Sequence, residues 1–206
     1  MELVKYNNNS ISSVTALGGI SSGGLNLITT NTISSGVSSS SFTSNINSTY
    51  DTYLFKWINC HPASSSDFSF NLSIDGGSNY NVAKSSANMR GYHRENGTQS
   101  SLTYDSGKDL AQGTGYQPIG TSCGVDNDEG ACGHLFLFSP SSDTFVKHYL
   151  AVTTNTESIS GVGNFYYNYY HGGYGNTSSA INAVDFKFAS GNIDSGVIKM
   201  YGLSKS

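Results

Sequence analysis

Apolar and polar residues alternate with a period of two along much of this chain, and that pattern restricts the fold more than any other feature. Tyr50–Asn59 places Tyr53, Phe55 and Trp57 on one side and Leu54, Lys56 and Ile58 on the other. Asp67–Ile74 repeats the pattern, with Phe68, Phe70, Leu72 and Ile74 opposed to Ser69, Asn71 and Ser73. Successive strand side chains point to opposite faces, whereas a helix returns to one face every three to four residues. Both segments therefore predict strands, the second a half-buried antiparallel one. The run Asp75-Gly76-Gly77-Ser78-Asn79 carries turn chemistry, and Tyr80–Ala83 is expected to return beside it as a hairpin.

Further strands are expected at 24–32, 87–93, 101–105, 117–121, 134–138, 145–153, 163–170, 181–189 and 196–203. No amphipathic helix is evident between them. With 24 Gly and only 3 Pro, the connections read as Gly/Ser/Asn turns. A chain of 206 residues fits one such domain. The expected fold is all-β: an antiparallel β-sandwich, jelly-roll-like, with an extended N-terminal arm. The boundary is set at 48/49. Residues 1–48 are rich in Ser, Asn, Gly and Thr, and Ser34–Ser41 is almost pure Ser. Two readings stay open for this arm: a flexible linker, or an anchor that docks through Val4, Tyr6, Ile11, Val14 and Leu17, its later part joining the sheet.

Charged residues make up 12% of the chain and the net charge is −4. The basic residues are scattered, so neither nucleic acid nor an anionic membrane surface is an expected partner. Met1–Asn9 lacks the apolar core of a signal peptide, and no run reaches the roughly 18 apolar residues of a membrane span. The expectation is assembly in a cytoplasm. Cys60, Cys123 and Cys132 read as reduced thiols, with a Cys123–Cys132 bridge as the alternative.

Motifs for chemistry are lacking. His61, His93, His134, His148 and His171 have no metal-ligand spacing. Asp126-Asn127-Asp128-Glu129-Gly130 reads as an exposed acidic loop, with a Ca²⁺ site as the weaker alternative because the EF-hand ligand pattern is absent. There is no nucleophile-elbow, zincin or P-loop sequence. No catalytic, cofactor or metal residues are assigned, and the chain reads as a non-enzyme. The most unusual segment is Phe165–Tyr174. Tyr166, Tyr167, Tyr169, Tyr170 and Tyr174 are its candidate contact residues, since Tyr offers stiff, amphipathic contact area. Three readings stay open: alternate Tyr filling the core, a protein–protein contact, or stacking on sugar rings.

A string of segments carries a resemblance. It comprises Tyr50–Pro62, Asp75–Tyr80, Gly91-Tyr92-His93, Lys108–Gln112, Ser139–Ser142, Thr144–His148, Ser190–Gly196 and Tyr201-Gly202-Leu203. Together they resemble small virion-associated proteins of marine tailed phages, cyanophages above all, over roughly residues 1–203. The resemblance implies a β-sandwich in a virion, assembled in the host cytoplasm. The expected role is structural: a capsid decoration or knob protein, homo-oligomeric and contacting a major capsid protein or tail proteins. The alternative is a tail-associated adhesin or carbohydrate-binding module that meets a host-surface glycan. The resemblance implies no catalytic residues.

Overall fold

A computed structural model describes residues 24–159 and 162–203 of the chain. Every regular element among them is a strand, and every pairing is antiparallel. In chain order the strands are β1 (Leu25–Ile33), β2 (Ser40–Phe42), β3 (Thr52–Pro62), β4 (Ser66–Ser73), β5 (Lys84–Arg94) and β6 (Ser100–Tyr104). They continue with β7 (Gln117–Cys123), β8 (Ala131–Phe138), β9 (Lys147–Ile159), β10 (Gly163–Gly175), β11 (Ala183–Phe188) and β12 (Ile193–Leu203).

The strands form two packed sheets. The larger has eight strands in the order β1-β12-β3-β8-β9-β10-β5-β6, and the smaller has four in the order β2-β11-β4-β7. The chain passes between layers at β1–β2, β2–β3, β3–β4, β4–β5, β6–β7, β7–β8, β10–β11 and β11–β12. This is a jelly roll: β2-β11-β4-β7 faces β3-β8-β5-β6, with the hairpin β9–β10 inserted between β8 and β5. β1 and β12 widen the larger sheet beyond β3.

The core lies between the layers. Tyr53, Phe55 and Trp57 of β3 meet Phe68, Phe70 and Leu72 of β4 and Val184, Phe186 and Phe188 of β11. Phe186 sits at the centre, its ring centroid 5.5 Å from Phe55, 6.0 Å from Trp57 and 6.0 Å from Phe68. Burying one such ring contributes about 2–3 kcal/mol. Gly133 of β8 lets the Trp57 indole lie against its neighbouring strand. A Cβ there would stand 2.2 Å from the Val152 carbonyl oxygen and 2.7 Å from the indole ring.

Several expectations need correction. Tyr80–Ala83 is irregular rather than a hairpin strand, although it returns beside β4, where the Val82 N–H donates to the Leu72 carbonyl at 3.4 Å. β11 takes one edge of β4 and β7 takes the other over Ser66–Phe70, and the chain crosses to the larger sheet at Lys84. β4 is buried on both faces rather than half-buried: Ser69, Asn71 and Ser73 are as enclosed as Phe68 and Phe70, while Ile74 is exposed. The Ser-rich tract ends in β2, which pairs with β11. Phe145 precedes β9 and is 72% exposed. Residues 25–42, counted above with the arm, supply β1 and β2, while Val4, Tyr6, Ile11, Val14 and Leu17 lie outside the described residues. The three cysteines are free thiols; Cys123 lies on β7 and Cys132 on β8, in different sheets.

Candidate contact surface

The Tyr-rich segment is β10, and strand geometry splits its side chains between two environments. Phe165, Tyr167, Tyr169 and His171 point inward and are buried. Their rings follow one another at centroid separations of 6.0, 5.8 and 6.2 Å. The Tyr167 hydroxyl donates to Glu157 Oε2 at 3.2 Å, and Tyr169 shares a hydrogen bond with the Thr121 hydroxyl of β7. Burial, reinforced by Glu157, pushes the Tyr167 phenol up to about 12. Burial also drives the His171 imidazole down to about 4, so the ring is neutral near pH 7. Tyr167 and Tyr169 thus belong to the interior and offer no contact area.

Tyr166, Tyr170 and Tyr174 point the other way, onto the outer face of the larger sheet. Tyr166 and Tyr170 are exposed. Tyr174 is half-buried beside the His148 ring and accepts a hydrogen bond from Gln112 Nε2 at 3.3 Å.

The register shows what Tyr170 joins. Leu27 pairs with Tyr201, Tyr201 with Leu54, Leu54 with Phe136 and Phe136 with Leu150. One step along the strands, Val152 pairs with Tyr170, Tyr170 with Met89 and Met89 with Tyr104. Residues opposite one another in a ladder share a face. These side chains therefore form one apolar belt across all eight strands, about 34 Å long at ordinary strand spacing. Leu54 is buried and Tyr201, Phe136 and Val152 are half-buried, but Leu150 is 54% exposed, Met89 52% and Tyr170 47%. Soluble monomers rarely present a contiguous apolar patch larger than a few hundred Å².

Toward its β6 end the belt has a depression of about 510 Å³, walled by Met89, Tyr104, Leu150 and Tyr170. Ala87 and Gly172, paired in the ladder, line it and leave it open. Lys199 and Lys56, with His134 beside them, form the adjoining row on β12, β3 and β8, so that stretch of the belt has two lysines at its border. Partial burial and the nearby Lys56 ammonium hold the His134 imidazole below its usual range.

The belt residues outside β10 went unread in the sequence. A signal was present. Leu135-Phe136-Leu137-Phe138 and Tyr149-Leu150-Ala151-Val152 are apolar at both parities, which marks strands with apolar side chains on both faces.

A second, polar cleft of about 250 Å³ opens where Asn59, His61, Asp128, Glu129 and Cys132 meet Tyr166. Glu129 is turned inward: Oε2 accepts the Asp126 N–H at 2.8 Å and Oε1 accepts the Ser158 N–H. That ties the acidic loop to β9 and occupies its best carboxylate. Among the described residues, no three His, Cys, Asp or Glu side chains converge as a metal would require. No protein-family model, curated protein or solved structure matches this chain.

Proposed function

We propose that this chain is a non-enzymatic structural protein of a phage particle, a capsid decoration or knob protein, which docks on its neighbours through the outer face of the larger sheet. The belt from Leu27 to Tyr104 carries the reading. A wide apolar strip with lysines along part of its border is the form of an interface core with its polar rim. Two lines of support come from elsewhere: the segment resemblance to virion-associated proteins of marine tailed phages, and a jelly-roll architecture, which viral shell proteins and lectins both use. The fold alone does not choose between those two uses.

The test is particle incorporation. Met89→Ser combined with Leu150→Ser should leave the domain folded and abolish attachment to assembling particles. Full incorporation of that folded variant would remove the belt from docking. Deleting residues 1–23 spares every described strand and separately tests the anchor proposed for Val4, Tyr6, Ile11, Val14 and Leu17.

The second reading, a tail-associated adhesin that takes a glycan, is favoured by one place. Tyr166, His93, Asn168 and Leu102 line a shallow groove of about 500 Å³ beside the belt, mixing a ring face with polar groups. A glycan array, repeated with Tyr166→Ala, decides it: tyrosine-dependent binding supports the adhesin, and no binding removes it.

A further inference from the structure

The outer face of the smaller sheet holds an amine and a carboxamide in a rare relation. Lys84 opens β5 and is fully buried. Its Nζ donates to Asn71 Oδ1 at 2.5 Å and to the Val82 carbonyl at 2.8 Å. Both acceptors are neutral, and among the described residues no carboxylate pairs with this amine. A buried ammonium without a counter-ion is costly, so the environment favours the free base. Burial accordingly brings the Lys84 amine down to about 7. A neutral lysine amine is a competent nucleophile.

Asn71, also fully buried, presents its carboxamide in an activated pose. Oδ1 accepts the Leu72 backbone N–H at 2.8 Å, a donor placed to stabilise negative charge on that oxygen. The Nδ2 group donates to the carbonyls of Tyr80 and Thr114, the latter at 3.1 Å, which orients the amide and aims its nitrogen away from the amine. Asp185 stands directly opposite Asn71 in the β4–β11 ladder, its carboxylate bound to the hydroxyls of Ser41 at 2.6 Å and Tyr116 at 2.8 Å. The pocket is thus dry, polar and fixed, with the amine held against the amide.

We infer that Lys84 and Asn71 join in an intramolecular isopeptide bond. The Lys84 nitrogen attacks Asn71 Cγ, and the carbonyl electron pair moves onto Oδ1 beneath the Leu72 N–H. Collapse of that intermediate re-forms the C=O bond and breaks Cγ–Nδ2. One proton from the attacking nitrogen leaves with Nδ2 as ammonia, and the other remains on the new amide. No oxidant, metal or co-reactant enters the step. The product links β4 of the smaller sheet to β5 of the larger one, fastening the two layers together covalently.

Mass spectrometry of the purified full chain tests this. The denatured protein should weigh less than its sequence by one ammonia. Trypsin should fail to cut after Lys84, giving a looped peptide of residues 57–90 whose fragments connect Asn71 to Lys84. Lys84→Arg should restore the full mass. A wild-type chain of full sequence mass, cut normally after Lys84, overturns the inference. So does an ammonia loss that survives in Lys84→Arg, because it would then arise at another asparagine.

Discussion

The two sheets turn opposite kinds of surface away from the core they share. The larger sheet presents Leu27, Leu150, Tyr170 and Met89 to solvent. The smaller presents Ser69, Asn71, Ser73 and Asp185, and covers them with the segments before β5 and before β7. Apolar groups are bare on one side and polar groups buried on the other. Burial of the polar side is tolerated because its groups find partners, whereas among the described residues the exposed part of the apolar side is left uncovered. The difference separates a surface completed internally from one that is completed by something else.

The comparison breaks most readily on the polar side. Asp185→Ala removes a buried carboxylate that accepts from the exposed Ser41 and the half-buried Tyr116 hydroxyls, and should cost about 3 kcal/mol, the upper end for hydrogen bonds to a charged group. Urea unfolding measures it, and a loss under about 1 kcal/mol would mean that water replaces the carboxylate.

The interior of the larger sheet responds to acid. His171 is held neutral with its pKa near 4, against an ordinary value of 6.5. The unfolded chain binds the extra proton in that window, so stability falls as pH drops from about 6.5 to 4 and levels off below, a loss of about 3 kcal/mol from this group. His171→Phe, which keeps a ring beside Tyr169, should flatten that part of the pH profile. An unchanged profile would assign the acid sensitivity elsewhere.

Lys147 gives a smaller effect. It lies opposite Gly175, as Lys84 does on the other side, and its Nζ donates to the carbonyls of Phe145, Thr177 and Ser178 at 2.6, 3.2 and 3.1 Å. Lys147→Met should cost about 2 kcal/mol, through three acceptors left to water or strain. Thermal melts against wild type measure it.

The smallest effect on stability belongs to the belt. Met89→Ser with Leu150→Ser should change unfolding free energy by about 0.5 kcal/mol or less per site, as for exposed positions generally. The same pair should abolish docking. A large loss of stability would show instead that the belt already packs against part of its own chain.

The sequence made some of this legible and not the rest, for a physical reason. Tyr53, Phe55 and Trp57 were readable because alternation within one strand decides which face is buried. The direction of each tyrosine in β10 follows the same parity, although which parity faces inward was not deducible. The double burial of β4 was hidden because its cover comes from distant segments. The belt was hidden because each strand contributes only one or two of its residues, and register is set by pairing across the chain. The contact between Asn71 and Lys84 depends on the crossing from one sheet to the other, which replaced the expected hairpin.

The pairing of β1 with β12 has a consequence for biosynthesis. Leu25 lies opposite Leu203, so the first described strand waits for the last before it gains a neighbour. At translation speeds of about 5–20 residues per second, that wait is on the order of ten seconds or more. Throughout it, Leu25, Leu27 and Ile28 emerge with an unpaired backbone edge, open to other nascent copies. Vectorial synthesis therefore works against this topology, and yield in the cell should depend on slowing encounters between ribosomes or on chaperones that hold the early strands apart.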